Sequence, residues 1–308
     1  GQGLAGGVLI PMGMTIVARR LPPAQQPVGL AIIAMTALIG PAAGPVLGGW
    51  LTENLSWHFI FFINVPVCAL QSMMMVVGIP PVRGDFDELR NADWAGIAGM
   101  VLGLGGATTL LEEGHREQWF ESALIWKLAI ASATGFALIA FGQLRAARPV
   151  IRLALLRNGS LASAVALMTV VGMMLFSCLF ITPQFLAAIA GYNALQAGQV
   201  AFVSGSVAIP AALTYPVLAS RLDGRAIVAG AMFSIAAAAF LASRMTALST
   251  GPDFTVTQLL YGIGTTLSAI PLQQAVISSV ALDETAEANG LMSVARNFGG
   301  SVGLAAIA

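Results

Sequence analysis

The residues that could carry out chemistry are few and dispersed in this sequence. It has two histidines, His58 and His115, and two cysteines, Cys68 and Cys178. None of these four stands in a spacing typical of a metal or nucleophile site, and no H-E-x-x-H pair or glycine-rich phosphate loop occurs. We therefore expect no metal and no cofactor, and a membrane-embedded enzyme is disfavoured.

Composition indicates the broad class of the protein. Hydrophobic residues make up 57% of the chain and charged residues 9%, whereas a soluble domain typically carries about 25% charged residues. The sequence therefore predicts an all-α polytopic membrane protein. The formal net charge is zero, which gives no reason to expect a nucleic-acid partner.

One apolar stretch, residues 37–50, is rich in glycine and proline. Its sequence is A-L-I-G-P-A-A-G-P-V-L-G-G-W. Gly40, Gly44 and Gly48 recur every four residues, so on a helix they form a bare stripe that lets another helix approach closely. Pro41 and Pro45 each remove an N–H and predict a kink. The pattern suits either a tight packing seam or a moving hinge.

Charges inside or beside apolar segments are the other functional candidates. Arg296 lies a turn or two inside an apolar run, where it could pair with a carboxylate or extend to the headgroups. Asp223 and Arg225 belong to a short charged link that could simply orient the chain. Glu112 and Glu113 end an apolar run, and a solvated helix end is favoured there over a proton site.

The chain that must position these residues contains ten apolar runs near the ~20 residues that span a bilayer. They are 3–18, 28–51, 57–79, 94–111, 124–144, 160–189, 199–220, 226–243, 254–280 and 289–308. Odd-numbered links between the runs hold ten arginines and even-numbered links hold two. The positive-inside rule then places the odd links in the cytoplasm and both chain ends on the outer side. The link 145–159 is predicted as either a short interfacial helix or a basic loop.

Several segments together resemble a known family. The run Gly40–Gly49 (G-P-A-A-G-P-V-L-G-G) resembles the antiporter motif in the fifth helix of the drug:proton antiporters of the major facilitator superfamily. The next residues, W-L-T-E-N-L-S-W-H-F-I-F-F-I-N-V-P, resemble its fourteen-helix EmrB/QacA-type group. Segments 86–96, 148–158, 191–198 and 288–300 resemble later loops and the thirteenth helix of that group.

The resemblance implies a fold and a domain organisation. The ten runs would be helices four to thirteen of fourteen, and both ends of the chain would be cut. Residues 1–80 would complete the N-terminal six-helix half, 81–147 would form a linker helix pair, and 148–308 would form the truncated C-terminal half. Such a fragment is not expected to transport alone.

The resemblance also implies a function. The family exports amphipathic, often cationic, compounds from the cell in exchange for protons by alternating access, at the inner or plasma membrane. The implied partners are a small amphipathic substrate, protons and membrane lipid, and a periplasmic adaptor is left open. The proton gradient would supply the energy for export, and no cofactor would be needed. The alternatives are a same-fold transporter of a narrow substrate, such as a lipid or metabolite, and an uncoupled facilitator. A membrane-embedded enzyme and a membrane scaffold are the least favoured.

The implied site residues fall into three groups. The first is the gating motif, namely Gly40, Pro41, Gly44, Pro45, Gly48 and Gly49. Arg296, Asp223 and Arg225 would contribute charge at the inner gate. Candidate pocket-lining residues are Asn64, Gln184, Tyr215, Tyr261, Gln273 and Gln274, although bonds between helices explain them as well. The family's acidic residue in the first helix lies outside this sequence, so proton coupling rests on the resemblance alone.

Overall fold

The protein is all-helical throughout the part that its structure, a computed structural model, describes. That part comprises residues 25–78, 93–145, 149–281 and 284–307, with 13, 16, 17, 21 and 22. Its helices are α1 (Gln26–Asn54), α2 (Phe59–Phe62), α3 (Asn64–Gly78), α4 (Trp94–Glu113), α5 (Ala123–Arg145), α6 (Gly159–Ala188), α7 (Ala194–Ala219), α8 (Gly224–Ala242), α9 (Thr255–Ser279) and α10 (Thr285–Ile307). Short 3-10 helices cover Trp119–Glu121, Leu153–Arg157 and Gly251–Phe254.

Nine of the ten predicted runs correspond to long helices, counting α2 and α3 together. The first run, 3–18, lies almost wholly outside the described residues. Six helices in the described ranges are long and apolar enough to cross a membrane: Phe59–Gly78 and α4 to α8. The all-α membrane class predicted from composition is confirmed.

Prolines do not break the motif helix. α1 begins with a proline in its first turn and continues unbroken past Pro41 and Pro45 to Asn54. At its end, the Thr52 hydroxyl donates to the Gly48 carbonyl at 2.8 Å, and the Asn54 amide donates to the Trp50 carbonyl at 2.9 Å. In both bonds the side chain donates to the carbonyl four residues before it, which is also the acceptor of that residue's own backbone N–H in a regular helix.

Packing divides the chain into two units. The first comprises Gly1–Leu55 and Pro183–Ser268, and the second comprises Ser56–Thr182 and Ala269–Ala308. These units follow contacts within the described structure, and the domain boundaries expected from the resemblance stay a prediction. In the first unit, Leu186, Ala197 and Phe254 form a small core at the start of α7.

Glycines hold the second unit together by letting helix backbones touch. In the α4–α5 hairpin, an added Cβ at Gly135 would overlap the Gly103 backbone. The Ser132 hydroxyl of α5 also donates to the Gly103 carbonyl at 3.0 Å. α6 and α10 meet in the same way, since a Cβ at Gly172 would overlap the Arg296 carbonyl oxygen. Close approach through small residues is the usual packing of membrane helices.

A carboxylate ties the hairpin to the link that follows it. Asp93 caps α4 by accepting from the Gly96 N–H at 2.7 Å, and its second oxygen accepts from the Val150 N–H at 3.3 Å. The Gln143 side chain donates to the Ile151 carbonyl nearby. Val150 and Ile151 of the following link are therefore held against the hairpin just before the 3-10 helix Leu153–Arg157 begins.

Candidate functional site

The motif helix α1 contacts α7 backbone to backbone. A Cβ added at Gly198 would overlap the carbonyl oxygen of Pro45, and one added at Gly49 would lie 2.5 Å from the carbonyl oxygen of Ala194. Side-chain carbons do not come that close in real structures, so neither glycine can be replaced unless the helices move. Pro45 and Gly49 are one turn apart, as are Ala194 and Gly198, so the contact runs along one face of each helix.

The predicted glycine stripe lies beside this contact rather than in it. A Cβ at Gly40, Gly44 or Gly48 would meet nothing within 4 Å among the described residues. The face at which α1 meets α7 carries Pro45 and Gly49, and Gly49 is offset from Gly48 by one residue, or about 100° around the helix. Residue spacing alone could not show which face of α1 packs against α7, because all the glycines of the motif lack a side chain and each would allow a close approach.

The start of α7 is capped from two directions. Asn193 and Gln196 form a capping box, in which the Asn193 side chain accepts from the Gln196 N–H at 2.9 Å and the Gln196 side chain accepts from the Asn193 N–H at 3.0 Å. The Glu53 carboxylate of α1 accepts from the Ala194 N–H at 3.0 Å. The sequence prediction gave neither Glu53 nor Asn193 a role at a site, although an Asn followed three residues later by Gln is a readable helix-start signal.

Tyrosine and aromatic packing fix the loop before α7. Gly191 has a φ of +69°, a left-handed conformation that glycine adopts without a steric penalty. The next residue, Tyr192, accepts at its hydroxyl from the Gly251 N–H at 2.8 Å. Phe185 packs on Phe254 with 5.5 Å between ring centroids. These contacts hold the capped end of α7 where α1 meets it.

The predicted inner-gate charges do not pair with one another in the described structure. Asp223 caps α8, accepting from the backbone N–H of Arg225 at 3.1 Å rather than from its guanidinium. Arg225 and Arg296 have exposed side chains, and no ion pair of either is formed within the described ranges. What Arg296 contributes to packing is its carbonyl oxygen against Gly172.

A charge cluster that the sequence prediction missed lies at the start of α10. Arg152 has nitrogens 3.1 Å from a carboxylate oxygen of Glu287 and 3.6 Å from one of Glu284. All three side chains are about one-third exposed, so solvent weakens each attraction. Glu284 and Glu287 lie at the N-terminal end of α10, where negative charge is favourable. The cluster thus joins the link before α6 to α10.

We expect Arg152→Glu to destabilise the protein by about 1 kcal/mol, because it places three carboxylates together and partly exposed pairs are each worth ~0.2–1 kcal/mol. Thermal unfolding in detergent measures the change. Arg157→Glu is the matched control, since Arg157 ends the 3-10 helix that Arg152 precedes, is exposed and forms no ion pair with a described residue. Adding Glu287→Arg should restore part of the loss. Equal effects of the two single variants would contradict the cluster's role.

The candidate pocket residues belong to both units: Gln184, Tyr215 and Tyr261 to the first, and Asn64, Gln273 and Gln274 to the second. Asn64 donates to the Ile60 carbonyl of its own helical segment at 3.3 Å, and Gln273 donates to the Asn289 side chain at 2.5 Å. Tyr261 is buried, whereas Gln184 and Gln274 are exposed and Tyr215 is half-buried. Their role as pocket residues stays a prediction.

Helix α9 carries buried polar residues beyond those predicted. Thr257, Gln258, Thr266 and Ser268 are all buried. The Thr257 hydroxyl makes no hydrogen bond within the described structure. No group of three or more His, Cys, Asp and Glu that could hold a metal occurs among the described residues.

Comparisons with known proteins agree with this architecture. The family model of the Major Facilitator Superfamily matches residues 1–304. The colistin resistance protein EmrB of Acinetobacter baumannii is 29% identical over 99% of this chain and 60% of its own length. The multidrug export protein EmrB of Escherichia coli K12 is 28% identical over 98% of this chain and 59% of its own length.

A third relative carries a different name. The fatty acid resistance protein FarB of Neisseria gonorrhoeae is 25% identical over 99% of this chain and 60% of its own length. The chain therefore spans about three fifths of the length of the curated relatives it matches. The resemblance to EmrB/QacA-type proteins is confirmed, and because the family model covers almost the whole of this helical chain, the chain belongs to the major facilitator superfamily.

Proposed function

We propose that this chain is part of a secondary transporter that exports amphipathic or cationic compounds in exchange for protons. The observation that carries the proposal is the α1–α7 backbone contact, which uses Pro45 and Gly49 of the predicted antiporter motif. Family membership and relatives named as multidrug export proteins support it. The protein would act in the inner or plasma membrane, use the proton gradient without a cofactor and catalyse no covalent reaction.

The geometry suits a gate because it needs no side chain to rearrange. Backbone surfaces at Pro45, Gly49, Ala194 and Gly198 can close on each other and exclude water and ions between them. When the helices separate, no buried salt bridge has to break at these four positions. Alternating access requires helix surfaces that close and part repeatedly, and a smooth contact of small residues meets that requirement.

The proposal also assigns roles to the remaining site residues, which rest on the family resemblance and not on a contact described above. Arg296, Asp223 and Arg225 would place charge at the inner gate. The in-span polar groups would line the substrate path, namely Asn64, Gln184, Tyr215, Tyr261, Gln273 and Gln274. A periplasmic adaptor is a further candidate partner. Gly40, Gly44 and Gly48 would face a surface that the described residues do not supply, and Pro41 belongs to the proposal as part of the same motif.

The test is proton movement driven by substrate. The full-length protein is placed in everted vesicles with an acid interior, and cationic dyes and biocides are added singly. A drug:proton antiporter should dissipate the pH gradient only with a compound that it transports, and protein-free vesicles give the baseline. If no compound in a broad panel changes the gradient or accumulates in the vesicles, multidrug antiport is wrong.

A narrow-substrate exporter is the second candidate. The relative named as a fatty acid resistance protein favours adding long-chain fatty acids to the panel. Accumulation of a fatty acid and of no cation would select this alternative. Accumulation that is unchanged when an ionophore collapses the pH gradient would select an uncoupled facilitator.

A further inference from the structure

Glu53 is placed unfavourably for its own helix and favourably for another. It lies in the last turn of α1, where the carbonyl ends of a helix disfavour negative charge. Its carboxylate instead accepts from the Ala194 N–H at the first turn of α7, where negative charge is stabilised. The electrostatic benefit of Glu53 therefore exists only while α1 and α7 are together.

Two other backbone donors at the start of α7 are paired by the capping box. The capping box uses the N–H groups of Asn193 and Gln196. The Ala194 N–H is left for Glu53. Removing the carboxylate therefore removes a partner that the capping box does not replace.

Exposure makes this bond releasable. Glu53 and Ala194 are both exposed, so water can take the place of either partner when the helices part. The contact below it differs, because Gly49 is buried and touches the Ala194 backbone. The end of α1 thus combines a bare backbone contact with one directional bond that can open without leaving a buried charge.

We propose that Glu53 is a positioning residue that latches the end of α1 to the start of α7 in the closed state. The inference rests on the proposed transport function, in which the Glu53 latch would set how often the α1–α7 contact opens. The bond is worth most in the closed arrangement and nothing in the open one. Its loss therefore shifts the population of the two states.

The experiment measures that population directly. Spin labels at Leu55→Cys and Gln199→Cys, both exposed positions of the first unit, report the α1–α7 distance in the full-length protein with Cys68 and Cys178 replaced by Ser. Glu53→Ala is expected to raise the ratio of separated to closed molecules about two- to tenfold, the range of one typical hydrogen bond. Glu53→Gln keeps an acceptor oxygen and should have a smaller effect.

Glu113→Ala is the matched control. Glu113 also ends a long apolar helix, but among the described residues its carboxylate pairs with Arg116 three residues away, at 3.0 Å, and with no residue of another helix. Glu113→Ala should leave the distribution of distances between the two spin labels unchanged. Glu53→Ala should also leave the thermal unfolding midpoint near that of the parent, because the separated arrangement is still folded, whereas a merely structural residue would lower the midpoint without changing the state ratio.

The outcomes separate the latch from the transport function. A distance distribution of Glu53→Ala that matches the parent, or an equal shift in Glu113→Ala, would overturn the latch even if the vesicles transport drugs. A shift in Glu53→Ala and none in Glu113→Ala would support the latch even if no compound in the panel is transported. In that second case only the proposed substrate class and coupling would fail.

Discussion

Gly198→Val is expected to abolish substrate-dependent proton movement. The new side chain would occupy the space of the Pro45 carbonyl oxygen, so α1 and α7 could not close against each other. Overpacking of this kind typically costs ~1–3 kcal/mol, which for a gate means a fall of about five- to 150-fold in the ratio of closed to separated molecules. The vesicle assay described above, run with a compound that the parent transports, measures the loss.

Gly230→Val in α8 is the matched control for Gly198→Val. Gly230 is also inside a long helix, but an added Cβ meets no atom within 4 Å among the described residues. Both variants exchange glycine for the same β-branched residue, so their difference reports the contact and not helix propensity. If Gly198→Val transports at the parental rate, the α1–α7 contact is not required to close, and the gate proposal is wrong.

Gly135→Val is expected to prevent assembly of the α4–α5 hairpin. An added Cβ would overlap the Gly103 backbone, and the hairpin would also lose the bond from Ser132 to the Gly103 carbonyl. Because two backbones would have to separate along a buried face, we expect a loss of ~3 kcal/mol or more, at the upper end of overpacking effects. The measurement is the yield of monodisperse protein and its thermal unfolding midpoint.

Gly105→Val tests the same substitution in the same hairpin. Gly105 lies on α4 with nothing within 4 Å of an added Cβ among the described residues. This variant should keep the yield and the midpoint of the parent. If both variants unfold alike, intrinsic propensity and not close helix approach would explain the glycines of the hairpin.

The sequence by itself determined the class and the family. Long apolar runs separated by short polar links can only be helices in a bilayer, because an isolated strand would leave its backbone unpaired there. That reasoning predicted nine of the long helices, and their ends agree with the structure within a few residues. The motif segments, read together, identified the superfamily that the comparisons then confirmed.

Only the tertiary structure decided which face of the motif is used. Gly40, Gly44 and Gly48 have the better spacing for a contact stripe, yet Pro45 and Gly49 meet α7. A glycine has no side chain to indicate its direction, and both faces of α1 are apolar. Which face packs depends on where the neighbouring helix lies, which is not encoded within the motif.

Polar contacts between distant residues were likewise decided by the fold. Glu53 reaches Ala194, and Arg152 reaches Glu284 and Glu287, across more than 130 residues. A charged side chain near a helix end can be either hydrated or paired with another residue. The sequence alone therefore predicts such a side chain only as an orienting or solvated group. The partner appears when packing brings two helix ends together, and the Glu53 bond forms because the glycines of α1 and α7 allow their backbones to touch.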